Sequence, residues 1–273
     1  MITAPVRPLN NGIEIPLLGL GVWRVPSAET QQVVATALDA GYRHIDTAKL
    51  YGNEEGVGAA VRESGLDRDS VFVTTKVWNS DQGYDSTLRA FDASMARLGF
   101  EVLDLYLIHW PVPERGTAAE TWRAMERLYL DGRIRAIGVS NFQPEHLRLL
   151  LDKAEVLPTV NQVELNPYLQ QTEVRRADDE LGIATVSWAP LAKGGKLLAD
   201  PVITRLADKH GRTPAQVVLR WHLQLGNIAI PKSVNPARIT ENIDVFDFEL
   251  DEGDMEQVRR LDREERSARA STS

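Results

Sequence analysis

Residues 71–110 read VFVTTKVWNSDQGYDSTLRAFDASMARLGFEVLDLYLIHW. The stretch opens on a β-branched apolar run, 71–78, and closes on a second, 103–110. Each is short enough for a buried strand and too short for a core helix. Between them lies an amphipathic segment, Asp85–Leu98, with Gly99 punctuating its end. That is one strand, one helix and one strand, the repeating unit of a parallel sheet.

The same rhythm runs outward in both directions. Further strand-like runs occupy 17–22, 44–48, 134–141, 159–165, 184–190 and 227–233, eight in all with the two above. Helical patterns fall at Ser27–Ala40, Glu54–Ser64, Ala118–Asp131, Gln143–Ala154, Thr172–Leu181 and Asn235–Phe246. Pro144 and Pro236 suit first helical positions after Gln143 and the cap-like Asn235. Eight strand-plus-helix units predict an α/β fold, the (β/α)8 TIM barrel, as one domain over residues 1–273. Asn10-Asn11-Gly12 between VRPL and IEIPLL predicts an N-terminal β-hairpin. Extra helices are expected at Pro201–His210 and Pro214–Leu225, before the last strand, and near Asp254–Glu265 after the last unit. The tail 267–273, SARASTS, is small and polar, a composition expected to be mobile. The competing doubly wound dinucleotide fold wants G-x-G-x-x-G after its first strand. Gly19-Leu20-Gly21 is followed three positions on by Arg24 and Gly56-Val57-Gly58 by Val61, so neither completes the pattern.

Composition removes several functions. The chain has no cysteine, which excludes disulfides, zinc–thiolate sites and a thiol nucleophile. A net charge of −8 argues against nucleic acid or an acidic membrane as the main partner. No apolar run approaches the roughly 18 residues of a membrane span, and MITAPVRPLNNG lacks the apolar centre of a signal peptide. A cytoplasmic protein is the expectation. The five histidines show no metal-ligand spacing, so no metal is expected. There is no G-x-S-x-G, and a serine-hydrolase reading stops there.

Residues at strand C-termini of such a barrel face its active site. Lys76 and His109 end two apolar runs, Tyr51 follows a third, and Asp46 lies inside that same third run. A lone Tyr, Lys or His in these positions is ordinarily structural. Together they form a proton-donor set. Asp46 orients Lys76, and Lys76 is expected to lower the pKa of Tyr51 from about 10. Tyr51 gives a proton to a carbonyl oxygen as hydride reaches the carbon, and His109 orients that carbonyl. Trp23, Trp78 and Trp110, at the same strand ends, read as pocket walls, whereas Trp122 and Trp221 sit on helical patterns and read as core. Lys232, Ser233 and Arg238 beside a predicted helix N-terminus form an anion site, the bland alternative being a solvated basic surface.

The runs GYRHIDTAKLYGNEEGVG (41–58), VLDLYLIHWP (102–111), IGVSNF (137–142) and IPKSVNPARITENIDVFDFEL (230–250) resemble the signatures of the aldo-keto reductase family, in the family's order. The likeness covers about residues 5–262 and is nearest to the prokaryotic branch that includes 2,5-diketo-D-gluconate reductases. The resemblance implies NADPH-dependent (NADP+ in reverse) reduction of aldehydes, ketones and dicarbonyls, keto-sugar acids among them, by a monomer. It implies a catalytic tetrad of Asp46, Tyr51, Lys76 and His109, in agreement with the residues read alone. Cofactor contacts carried over by the likeness are Gly21, Val22 and Trp23; Ser140, Asn141 and Gln162 at the carboxamide; Trp188 on the nicotinamide face, with Ala189. Leu191, Lys193 and Gly195 would lie along the pyrophosphate, and Ile230, Lys232, Ser233, Val234, Arg238, Glu241 and Asn242 at the adenosine end. Trp23, Tyr51, Trp78, His109 and Trp110 would surround the substrate. Loop 112–118 and the C-terminal tail would set preference. Two alternatives compete: a nicotinamide-binding regulatory subunit with little turnover, against which the intact tetrad argues, and a barrel lyase or isomerase for a phosphorylated sugar, which does not explain GVSN, Gln162 and Trp188 together. Lys49 stands where many relatives have a small or apolar residue. It is either a solvated loop side chain or a cation reaching the substrate mouth. Asn235 stands where some relatives carry a further basic residue, which would narrow the NADPH preference.

Overall fold

Near-continuous apolar runs such as 71–78 and 103–110 must bury both faces in a parallel sheet, and the helices between them supply the outer cover. A computed structural model describes residues 2–266; the predicted mobile tail, 267–273, lies outside the described residues. The hairpin is present as β1 (Val6–Pro8) and β2 (Glu14–Pro16), paired antiparallel. Eight parallel strands follow: β3 (Leu20–Gly21), β4 (His44–Asp46), β5 (Phe72–Val77), β6 (Leu103–Ile108), β7 (Ile134–Ser140), β8 (Val160–Glu164), β9 (Ala184–Trp188) and β10 (Ile228–Ile230). They are hydrogen-bonded in chain order. A parallel bridge from Leu18 to Ala229 and the bond from Gly21 N–H to Pro231 O close the ring between β3 and β10.

The covering helices are α1 (Ser27–Ala40), α2 (Glu54–Glu63), α3 (Tyr84–Leu98), α4 (Ala118–Leu130), α5 (Pro144–Leu151), α6 (Thr172–Glu180), α7 (Pro201–His210), α8 (Pro214–Gln224), α9 (Pro236–Ile243) and α10 (Glu252–Arg259). Between sheet and helices lies one core cluster that includes Val34, Val57, Phe91, Trp122 and Ile137. A separate cluster inside the ring joins Leu105, Leu107, Val160, Val186 and Ile228 to Leu9 and Ile15 of the hairpin, so the hairpin plugs the floor. Helices α2 and α3 approach so closely that a Cβ on Gly58 would stand 2.0 Å from the carbonyl oxygen of Leu98.

The sequence-based boundaries shift in two places. The helix expected over 254–265 is α10, ending at Arg259, because Asp251 caps its start by accepting from Asp254 N–H. The chain beyond it packs against Tyr168, whose carbonyl accepts from Arg263 and Glu265 N–H. The pattern over 235–246 stops at Ile243. Four short 3-10 turns, among them Lys49–Tyr51 and Asn79–Asp81, lie in loops that the apolar periodicity does not mark. Among the described residues, no helix is long and apolar enough to cross a membrane.

Candidate active site

Strand register decides which side chains meet. Asp46, at the end of β4, pairs with Thr74 on β5, and Lys76 lies two residues beyond Thr74 on the same face. Both therefore point into the ring near its C-terminal rim. Lys76 Nζ donates to Asp46 Oδ1 at 2.5 Å and to the carbonyl of Thr47 at 2.8 Å. The pair is completely buried, and the second carboxylate oxygen accepts from Gln162 Nε2 at 2.7 Å. The remaining donor of Lys76 faces Tyr51 Oη at 3.5 Å. Tyr51 arrives on the 3-10 turn that follows β4, and His109 one residue past β6. The His109 ring lies edge-on to Tyr51 and to Trp78, with centroids 5.9 and 5.0 Å apart. All four residues expected to act together do come together.

Their protonation follows from burial. Burial pushes the Tyr51 phenol up from its ordinary 10, while the Lys76 charge pulls it down and Asp46 adds a smaller push upward. The net direction is up, which corrects the expectation that Lys76 lowers it; the ammonium limits the rise without reversing it. Burial alone would depress Lys76, but Asp46 and then Tyr51 outweigh it, so Lys76 stays protonated. Burial, aided by the Lys76 charge, holds His109 well below 6.5, and its imidazole is neutral at pH 7. Its Nδ1 is buried without a partner. The site thus presents a protonated phenol and a neutral imidazole to whatever sits above them.

Beside the tetrad opens a cavity of about 320 Å³, walled by Trp110, Pro111, Val112 and Val163, with Asn79, Glu114, Arg115 and Arg266 at its polar side. Trp78 and Trp110 are both partly buried here, and Trp23 is more exposed, while Trp122 and Trp221 are core, as read from their helical spacing. The Lys49 ammonium is ion-paired with Asp81 on the neighbouring turn, and its side chain remains partly exposed.

The expected cofactor residues line the same rim. Ser140 ends β7 and donates to the carbonyl of Gln162 at 2.8 Å. Asn141, with φ of 63°, donates to the His109 carbonyl and accepts from Trp188 Nε1 at 2.9 Å. That bond sets the orientation of the Trp188 indole. Gln162 spends one amide hydrogen on Asp46, which ties Gln162 to the tetrad. Residues 189–195 carry left-handed backbone at Ala189, Ala192, Lys193, Gly194 and Gly195, and the Lys193 ammonium stands 5.7 Å over the Trp23 ring. Leu191 is turned partly into the core.

Past Ile230 the chain exposes Lys232, Val234 and Arg238 and buries Ser233. Lys232 and Arg238 form no ion pair with any described residue, although acidic residues outnumber basic ones by 39 to 31. Two unpaired cations around a hydroxyl fit a phosphate group. The helix end contributes less than its sequence suggests, because Asn235 Oδ1 already accepts from the N–H groups of Ala237 and Arg238. Glu241 accepts from Thr213 and Asn242 is buried beside it. Sequence reasoning assigned nothing to Asn53 and Glu54 of the 41–58 motif. Asn53 ties the loop after β3 to α2 through the carbonyls of Val22 and Val25, and buried Glu54 accepts from Thr75 and Arg97. Two buried polar residues opening a helix were the available signal.

Residues 17–263 match the model of the aldo/keto reductase family. The chain belongs to that family. An aldo-keto reductase of Mycobacterium sp. (strain JLS) is 59% identical over 259 residues, covering 95% of this chain and 94% of that protein. The glyoxal reductase of Bacillus subtilis is 52% identical over 259 residues, 94% and 93% of the two chains. A crystal structure of a Gox0644 variant in complex with NADPH superposes with a TM-score of 0.92 at 51% identity, covering 96% of this chain and 94% of that one. The protein is an NADPH-dependent oxidoreductase acting on carbonyl groups. These matches do not favour the regulatory-subunit alternative.

Proposed function

We propose that Tyr51 delivers the proton in this reductase, with Lys76, Asp46 and His109 preparing it. The carrying observation is the unbroken chain from Gln162 Nε2 through Asp46 and Lys76 to the Tyr51 hydroxyl. NADPH, when bound, supplies the hydride that reduces the carbonyl carbon. Negative charge then develops on the carbonyl oxygen, and the Tyr51 proton moves to it. The phenolate left behind faces the Lys76 ammonium, whose own charge is held by the buried Asp46 carboxylate. His109, neutral, hydrogen-bonds the carbonyl oxygen and turns its carbon toward the nicotinamide position. Ser140, Asn141 and Gln162 hold the carboxamide, with Trp188 against the ring. Leu191 and the 193–195 turn flank the pyrophosphate, Lys232, Ser233 and Arg238 grip the 2′-phosphate by side chains, and Glu241 with Asn242 meet the adenine.

The substrates are aldehydes and α-dicarbonyls, with keto-sugar acids as a further class. The pocket supports this reading: its walls are Trp110, Pro111, Val112 and Val163, and apolar walls separate similar substrates by only about 1–3 kcal/mol. The glyoxal reductase relative points the same way. The chain is read as one barrel domain working as a cytoplasmic monomer. The test is NADPH oxidation by the purified protein with glyoxal, methylglyoxal, simple aldehydes and a 2,5-diketo sugar acid. Turnover is expected on the first three, with NADH a poorer donor. No turnover on any of them would revive the regulatory reading.

A further inference from the structure

The turn that carries Tyr51, Lys49–Tyr51, meets the turn that follows Trp78, Asn79–Asp81, whose Asn79 lines the cavity. Each is a single 3-10 turn, and what joins their tips is the ion pair between Lys49 Nζ and Asp81 Oδ2. Asp81 is the anchored member. Its N–H donates to the Trp78 carbonyl at 3.0 Å, and its own carbonyl accepts from Thr87 at 3.2 Å. Lys49 is the member brought to it by a flexible stem, and Leu50 beside it is 48% exposed. The side chains of Lys49 and Asp81 are 35% and 22% exposed, so the pair meets solvent, with Lys49 two residues before Tyr51 and Asp81 two residues after the cavity-lining Asn79.

A lone ammonium two residues from the proton donor would draw any substrate that carries a carboxylate. We propose that the Lys49–Asp81 pair is a specificity determinant: Asp81 cancels the Lys49 charge, and the pair sets the enzyme's selectivity between carboxylate-bearing and uncharged carbonyls. The inference rests on the carbonyl-reductase reading above. It assigns neither residue to catalysis; both act on which substrate is admitted. Arg115, Arg266 and Glu114, on the cavity side, are common to every variant below and drop out of the comparison.

The experiment measures kcat/KM for 4-carboxybenzaldehyde and for its uncharged methyl ester at low ionic strength, and takes the ratio. Asp81→Asn leaves Lys49 uncompensated and is expected to raise that ratio about fourfold, the size of one unit-charge interaction across ~5 Å in water. The gain should fade as salt is added. Lys49→Met leaves Asp81 uncompensated and should lower the ratio by a similar factor, and the double variant should return to the starting value. A purely structural tie would move both single variants in the same direction. That result, or an unchanged ratio in both, overturns the proposal. If the native protein turns over neither aldehyde, the carbonyl-reductase reading fails for these probes. The same ratio is then read from dissociation constants of the two compounds on the NADPH-loaded protein, by tryptophan fluorescence, with the same opposite signs expected.

Discussion

The tetrad and the 232–238 block proposed to hold the 2′-phosphate each carry one lysine, yet they obey different physics. Lys76 is completely buried, and every charge near it has a partner: Asp46 takes its hydrogen bond, and Gln162 takes the far oxygen of Asp46. Lys232 and Arg238 are exposed and unpaired. A buried cation without a partner is prohibitive, so the fold itself completes the first site. An exposed cation costs little, so the second site can wait for its anion. The difference teaches that the catalytic half is part of the barrel's stability, while the cofactor-selecting half is nearly independent of it.

The same substitution at both lysines should expose that contrast. Lys76→Met strands the Asp46 carboxylate in the core, and denaturant unfolding should show a loss of about 3–5 kcal/mol. Turnover should fall by about 100-fold or more, because the phenolate loses its counter-charge. Lys232→Met should leave stability within about 0.5 kcal/mol. It should raise KM for NADPH by roughly tenfold, the effect of losing a charged hydrogen bond of about 1.5 kcal/mol, with kcat and KM for NADH unmoved. A smaller effect is expected at Asn235, whose side chain caps α9. Asn235→Ala should cost about 1 kcal/mol of stability and weaken NADPH by less than about twofold, because the capped amides are not the phosphate's ligands. If NADPH binding collapses instead, the block depends on fold in the way the tetrad does.

The mildest test concerns pH. With Tyr51 raised above 10, the acid form persists through neutral pH, and His109 is held neutral, well below 6.5. The kcat for reduction should therefore stay level from about pH 6 to about pH 9. Oxidation of alcohols, which needs the phenolate, should quicken as pH rises. A falling limb for reduction centred below pH 9 would mean that Lys76 wins over burial.

Much of this was readable from the chain. The eight apolar runs separated by amphipathic segments gave the barrel because periodicity and length are local properties. Asp46, Tyr51, Lys76 and His109 were readable because strand ends converge at one rim. The direction of the Tyr51 shift was not: Lys76 shows in the sequence as a neighbour, but burial is a property of everything packed around the phenol. The Lys49–Asp81 pair joins two short turns 32 residues apart that carry no apolar pattern. Asn235 is the cap its sequence position predicts, and what the sequence does not show is that its side chain takes the N–H groups of Ala237 and Arg238 at the helix end. The helix over 252–259 was misplaced because the cap, Asp251, lies ahead of the residues that looked amphipathic.

The central claim is that Tyr51 is the proton donor. It is tested most directly by Tyr51→Phe, with single-turnover oxidation of bound NADPH by methylglyoxal as the readout and NADPH affinity measured alongside. The account predicts a rate lower by about 10² to 10⁴-fold with cofactor affinity unchanged. A Phe variant that turns over at the native rate with native affinity would contradict it.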